Sequence, residues 1–234
     1  MKNYLVIGNP IKHSLSPKLH NYWIKKNSIN AQYNKKQINE NDIKEIIVEV
    51  KKGKINGINV TVPFKNLVIP FMDELSSEAN QTQSVNTIYF ENKKIIGHNT
   101  DIAGFELGIR HCKYNINNKK VLILGAGGVV PSIILALKKM KASKIIITNR
   151  TKIKAENLKN LFKDLEIVDW GELPNFDMII NATSLGLKKN DKINLDFSKM
   201  KSDKFFFDVI YNPIETNFLK KAKEHNYKTE NGKM

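Results

Sequence analysis

The chain has 234 residues, 41% of them hydrophobic and 26% charged, a soluble globular balance with room for one large or two modest domains. The apolar run in the opening "MKNYLVIGNP" is too short for a signal peptide, and no run elsewhere approaches a membrane span. The formal charge of +15 rests on 36 lysines and only two arginines, Arg110 and Arg150, spread along the chain. With no basic tail, no aromatic-glycine RNA-binding signature and no zinc-finger spacing, that charge describes solvated faces rather than a nucleic-acid surface. A positive field still speeds the arrival of small anions. The single cysteine, Cys112, excludes a disulfide within the chain and points to the cytosol.

In chain order, "YLVIGNP" (4–10) reads as a strand running into a loop. "SPKLHNYWIKKN" (16–27) reads as a helix, with Ser16 as N-cap and Pro17 at the first helical position. A strand at 32–38 and a helix at 40–53 closed by Gly53 follow. "GINVTV" (57–62) alternates, so Ile58, Val60 and Val62 share one face and Asn59 and Thr61 the other. Pro63 ends that strand, and Lys65 lies just beyond it. Residues 84–101 read as a hairpin turning near Asn92.

The second half gives helices near 102–113, 128–140, 150–163 and 214–226. Strands fall at 120–125, 144–149, 177–183 and 205–210. Strands alternating with helices imply a parallel sheet with right-handed crossovers. The fold class is therefore α/β. An N-terminal α/β domain spans residues 1–101, and a C-terminal Rossmann-like domain with a parallel sheet spans residues 102–234.

"VLILGAGGVV" (121–130) places Gly125, Ala126, Gly127, Gly128 and Val129 between a buried strand and a helix. A tight turn there lets backbone amides approach a pyrophosphate at the helix N-terminus. The third small position of the dinucleotide fingerprint is Val130, a mild departure. The next strand ends in "NRTKIK" (149–154) rather than in an acidic residue that would bind a ribose 2′-hydroxyl. The guanidinium fork of Arg150 suits a phosphate, with Asn149, Thr151 and Lys154 completing the pocket. The competing reading is an exposed arginine at a helix start.

Eight stretches carry a family resemblance: "GNPIKHSLSPKLHN" (8–21), "GINVTVPFK" (57–65), "VNT" (85–87), "GHNTDIAG" (97–104), "GAGG" (125–128), "NRT" (149–151), "NATSLG" (181–186) and "DVIYNPIET" (208–216). In this order the chain resembles the shikimate dehydrogenase family. The resemblance implies an NADP(H)-dependent oxidoreductase that interconverts 3-dehydroshikimate and shikimate in aromatic amino acid biosynthesis. It implies that Ser14 and Ser16 bind the substrate carboxylate. Asn59, Thr61, Asn86 and Asp101 would hold ring hydroxyls, and Lys65 and Asp101 would form the catalytic pair. Tyr211 would also contact substrate. Val209 and Gly232 would lie beside the nicotinamide, and Thr183 near the cofactor's path.

The chemistry fits these residue types. Hydride transfer to a carbonyl leaves negative charge on oxygen, and an ammonium can deliver the proton that oxygen needs. An ordinary lysine titrates at about 10.4, so exchange near neutrality calls for burial or neighbouring cations, and a carboxylate neighbour works against it. Asp101 is therefore expected to orient Lys65 and to bind a hydroxyl. His13 and His20 read as positioning or structural residues, and no metal site is expected. Taken singly, each residue also has a structural reading: Asn86 as a hairpin closer, Tyr211 as a core aromatic, Ser14 and Ser16 as loop and cap residues.

The chain departs from the family at "ENGKM" (230–234), where the family continues with a substrate-touching glutamine and terminal helices that cover the first domain. The expectation is a truncated chain with weakened substrate binding and impaired activity. Expected partners are a small-molecule substrate, no nucleic acid and no membrane, in a monomer or homodimer. The rival readings are an NAD-using quinate/shikimate dehydrogenase, a non-catalytic nucleotide-binding module and a basic nucleic-acid-binding protein.

Overall fold

The computed structural model describes residues 1–188, 190–197, 200 and 203–233. The chain divides into two compact units, Met1–Asp101 and Ile102–Met234. Among the described residues, no helix is long and apolar enough to cross a membrane.

The first unit holds β1 (Lys2–Gly8), α1 (Ser16–Lys26), β2 (Ala31–Gln37), α2 (Ile43–Lys51), β3 (Gly57–Val60), β4 (Glu74–Leu75), α3 (Ser77–Thr82), β5 (Thr87–Glu91) and β6 (Lys94–His98). The sheet order is β2-β1-β3-β5-β6-β4. Strands β2, β1 and β3 run parallel, and β5 is antiparallel to both β3 and β6. Helix α2 buries Ile43, Ile46, Ile47 and Val50, the i, i+3, i+4, i+7 stripe of an amphipathic helix. These pack with Ile7, Ile58, Val60 and Ile88 of the sheet. Each fully buried side chain of this kind stabilises by about 1.5–3 kcal/mol. A 3-10 turn at Glu40–Asp42 leads into α2 rather than the helix starting at residue 40. After it, Gly53 takes φ +71°, with Gly53 N–H donating to Val50 and Lys54 N–H to Glu49. That pair of bonds is the glycine-closed helix end the sequence predicts. In the β5–β6 hairpin, Asn92 and Lys93 both have positive φ, as a two-residue turn matched to strand twist requires.

Two local expectations are corrected. Ser16 is the first helical residue, not the N-cap: the first helical bond runs from Leu19 N–H to the Leu15 carbonyl, which makes Leu15 the cap. The side chain serving that end is Ser14, whose Oγ accepts from Ser16 N–H at 3.3 Å. Strand β3 stops at Val60, so the alternation ends there too. Ile58 and Val60 are buried, whereas Val62 is 59% exposed.

The second unit comprises α4 (Asp101–His111, entering from the unit boundary), β7 (Lys120–Leu124), α5 (Val130–Lys139), β8 (Lys144–Thr148), α6 (Lys152–Leu161), β9 (Glu166–Ile167), β10 (Met178–Asn181), β11 (Phe205–Asp208), α7 (Asn217–Glu224) and β12 (Lys228–Asn231). Its sheet is parallel throughout, in the order β12-β11-β10-β7-β8-β9. Read from the far edge by position in the chain, that is 3-2-1-4-5-6, the arrangement of dinucleotide-binding sheets. Both faces are covered, so the four central strands β7, β8, β10 and β11 read as apolar runs. Val121, Ile123, Ile180, Phe205 and Phe207 enter one core; Leu122, Leu124, Ile179 and Phe206 enter the other. Helix α7 begins later than the expected residue 214, because Thr216 is its N-cap and accepts from Leu219 N–H. The short elements β4, β9, β12 and α3 carry no periodic signal and are absent from the sequence reading.

Candidate active site

The first unit brings four of the predicted residues, Asn59, Lys65, Asn86 and Asp101, into one hydrogen-bonded group. Lys65 lies one turn past β3 with its side chain about 10% exposed, and its Nζ donates to Asp101 Oδ2 at 2.5 Å. Asp101 sits at the N-terminus of α4, where the helix dipole favours a carboxylate. The Asn99 side chain fixes that helix start by accepting from Asp101 N–H at 2.9 Å. Asn86, 8% exposed, donates from Nδ2 to Asp101 Oδ1 at 2.8 Å and to Thr100 Oγ1 at 2.9 Å. Its Oδ1 accepts from Thr100 N–H and from the Thr87 hydroxyl, both at 3.0 Å. Asn59 donates to the Asn86 carbonyl and to Thr87 Oγ1. Its Oδ1 accepts the Tyr33 hydroxyl at 2.6 Å. The Ser16 side chain interacts with that same phenol.

A lysine ammonium held this way keeps two further N–H bonds for a substrate oxygen. The Thr61 hydroxyl, half-buried two residues past Asn59, has no hydrogen-bond partner among the described residues, so it too can meet a ligand. Sequence reasoning missed Tyr33, Thr87 and Thr100. Thr87 and Thr100 lie inside quoted motifs, whereas Tyr33 sits in a polar strand with no motif to mark it.

In the second unit, the predicted cofactor residues lie past the carboxyl ends of β7, β8, β10, β11 and β12, and the strand order reverses between β7 and β10. Gly125 has φ +110°, and a Cβ there would meet the Ala182 carbonyl oxygen at 2.8 Å and Thr183 Cγ2 at 3.0 Å. The fold itself demands that glycine. A Cβ on Gly127 would meet nothing closer than 3.9 Å. The turn thus leaves open space beside Gly127, as a phosphate approaching the backbone needs. Gly232 would carry its Cβ 2.7 Å from the Val209 carbonyl oxygen, so these two predicted nicotinamide neighbours are packed together. Arg150, Thr151 and Lys154 are exposed where β8 passes into α6, and Asn149 Nδ2 donates to the Thr151 carbonyl. Among the described residues, no hydrogen bond or ion pair engages the Arg150 or Lys154 side chain. Just before them, Thr148 Oγ1 is the buried side-chain polar atom without a partner among the described residues. Open space, unpaired cations and an orphaned hydroxyl at the carboxyl edge of a 3-2-1-4-5-6 sheet all fit a phosphorylated dinucleotide.

Below that edge lies a buried support. Asp208 accepts from Asn181 Nδ2 at 3.1 Å and Ile210 N–H at 3.0 Å on one oxygen, and from the Thr216 hydroxyl at 2.6 Å on the other. Asn181 Oδ1 accepts the Thr183 hydroxyl at 2.7 Å, and Leu185 N–H closes on Thr183 Oγ1. Burial pushes the Asp208 carboxyl up, against these donors, which pull it down. Tyr211, three residues on, is 39% exposed rather than a core aromatic. No cluster of three metal-ligating side chains occurs among the described residues.

A dinucleotide-binding sheet in one unit and a lysine–carboxylate pair in a polar network in the other define a class, the dinucleotide-dependent oxidoreductases. Comparison with known proteins narrows it. Residues 6–88 match the family described as "Shikimate dehydrogenase substrate binding domain", and residues 106–228 match "Shikimate / quinate 5-dehydrogenase". The shikimate dehydrogenase (NADP(+)) of Pelagibacter ubique is 60% identical over 233 residues, covering 100% of this chain and 88% of that protein. The crystal structure of shikimate dehydrogenase from Aquifex aeolicus superimposes with a TM-score of 0.92 at 40% identity, covering 99% of this chain and 86% of that one. The Thermus thermophilus enzyme, solved with NADP(H) and shikimate, gives 0.89 at 27% identity, covering 99% and 87%. The chain belongs to the shikimate dehydrogenase family.

Proposed function

We propose that this chain catalyses the reversible NADPH-dependent reduction of 3-dehydroshikimate to shikimate, a step of aromatic amino acid biosynthesis. The observation that carries the reading is the Lys65–Asp101 pair at 2.5 Å, with Lys65 largely buried, and Asp101 half-buried and braced by Asn86. NADPH supplies the hydride. Lys65 donates a proton to the carbonyl oxygen as charge develops there and recovers it in the reverse direction. Asp101 aims the ammonium, and its remaining lone pairs accept a ring hydroxyl. Thr61 and Asn59 read further hydroxyls. Ser14 and Ser16 bind the substrate carboxylate, and Tyr211 makes a further substrate contact. Arg150, with Asn149, Thr151 and Lys154, holds the 2′-phosphate and favours NADP(H) over NAD(H). The turn from Gly125 to Val129 holds the pyrophosphate, and Thr183, Val209 and Gly232 border the nicotinamide half. A chain with one cysteine and this substrate works in the cytosol.

The test is NADPH oxidation with 3-dehydroshikimate, run on this chain and on Lys65→Ala. Loss of NADPH absorbance that requires both the substrate and Lys65 supports the reading. Oxidation indifferent to Lys65, or no oxidation together with no NADPH binding, sinks it.

A further inference from the structure

Two side chains outside the predicted site join its parts. Tyr33 lies in β2, the edge strand of the first sheet, and is 4% exposed. Its ring stacks on His20 of α1, with centroids 4.2 Å apart and planes 10° apart. Asn21 brackets its backbone, donating to the Tyr33 carbonyl at 2.7 Å and accepting from Tyr33 N–H at 3.0 Å. The helix thereby caps the sheet edge at one residue and fixes where the phenol points. It points at Asn59 Oδ1, 2.6 Å away. Burial raises the phenol above its ordinary range, so it remains a donor at working pH.

Thr87 stands directly across the β3–β5 ladder from Asn59. Its hydroxyl accepts from Asn59 Nδ2 at 3.2 Å and donates to Asn86 Oδ1 at 3.0 Å. A carboxamide is almost symmetric in shape, so its orientation is set by its partners. The Asn86 carbonyl can only accept and therefore holds Asn59 Nδ2 on its side, leaving Asn59 Oδ1 to Tyr33. The Thr100 amide can only donate and therefore holds Asn86 Oδ1, which turns Asn86 Nδ2 towards Asp101. Thr87 is the hydroxyl that passes one orientation to the other.

We propose that Tyr33 and Thr87 are positioning residues that lock the Asn59 and Asn86 carboxamides into one directional hydrogen-bonded strip ending at Asp101, the carboxylate that accepts from Lys65. The wall that reads substrate hydroxyls and the pair that handles the proton are then aligned by the same chain of bonds. This rests on the reading of Lys65, Asp101, Asn59 and Asn86 as the substrate site. His20 and Asn21, which belong to a family motif, contribute by holding Tyr33.

The experiment is steady-state kinetics of Tyr33→Phe, Thr87→Val, Thr87→Ser and the Tyr33→Phe/Thr87→Val double variant, with active chains counted by NADPH titration. A net hydrogen bond of about 0.5–1.5 kcal/mol corresponds to roughly a two- to twelvefold effect. Tyr33→Phe and Thr87→Val are each expected to lose that much in kcat/KM for 3-dehydroshikimate, with KM for NADPH unchanged. Thr87→Ser, which keeps the hydroxyl, is expected to recover most of the wild-type value. The double variant is expected to lose less than the product of the two single losses, because both act through Asn59. Wild-type kcat/KM in Tyr33→Phe and Thr87→Val, with only the melting temperature lowered, overturns the proposal. So does Thr87→Ser behaving like Thr87→Val, or losses that simply multiply. A wild-type chain without Lys65-dependent turnover overturns the functional reading itself, a separate result from indifferent variants of an active chain.

Discussion

In the first unit the candidate side chains bond to one another. Lys65, Asp101, Asn86, Thr87, Asn59 and Tyr33 form an unbroken run of hydrogen bonds before any ligand arrives. In the second unit Arg150 and Lys154 are exposed and unpaired among the described residues, Gly127 borders open space, and Thr148 Oγ1 is an orphan. The difference is what the two proposed roles call for. Proton transfer depends on alignment within tenths of an ångström, so its groups gain from being held beforehand. Binding a flexible, highly charged dinucleotide depends on unsatisfied donors and space, which the ligand itself completes.

Substitutions can break this contrast. The largest effect is expected for Lys65→Ala, which should lower kcat by about 10²–10⁴-fold while changing KM for 3-dehydroshikimate far less. Equal losses in kcat and affinity would make Lys65 a binding group only. Arg150→Ala comes next. Losing a charge-assisted bond of about 1.5–3 kcal/mol should cut the preference for NADPH over NADH by roughly ten- to hundredfold, read as the ratio of their kcat/KM values. An unchanged ratio would return Arg150 to the role of an exposed helix-start residue.

The two turn glycines sharpen the comparison within one loop. Gly125→Ala forces a side chain into φ +110° and against the Ala182 carbonyl, so chemical denaturation should show a loss of about 1–3 kcal/mol. Gly127→Ala meets no such contact. It should leave stability unchanged or raised by up to about 1 kcal/mol while weakening NADPH binding in calorimetric titration. A stability loss in both would mean that the open space belongs to the fold rather than to a ligand.

The smallest effect concerns pH. Burial raises the Asp208 carboxyl in the folded chain, so its protonated form is the one folding favours. That contribution is complete below the unfolded value, about 3.9, and is lost as pH rises through the folded value. The melting temperature of the wild type relative to Asp208→Asn should therefore fall as pH rises from below about 4. A difference that grows with pH would mean the three donors to Asp208 outweigh its desolvation.

The sequence by itself determined much of this protein. Unbroken apolar runs at 121–124 and 205–207 marked a sheet covered on both faces, and "GAGG" marked the turn at its carboxyl edge. Gly53 marked a helix end, and Asn59, Lys65, Asn86 and Asp101 were legible through motif order. These signals are local: periodicity, glycine conformations and short spacings survive in the chain without its fold. Only the tertiary structure decided that Tyr33, in a polar edge strand, donates to Asn59 26 residues away. It also moved the helix cap from Ser16 to Leu15, turned Val62 to solvent, and added β12, whose four residues are all polar. It separated the glycine the fold requires, Gly125, from the one beside open space, Gly127. Those outcomes depend on which groups meet across the sheet, because a hydroxyl, a carboxamide or a missing Cβ takes its meaning from the atom opposite it.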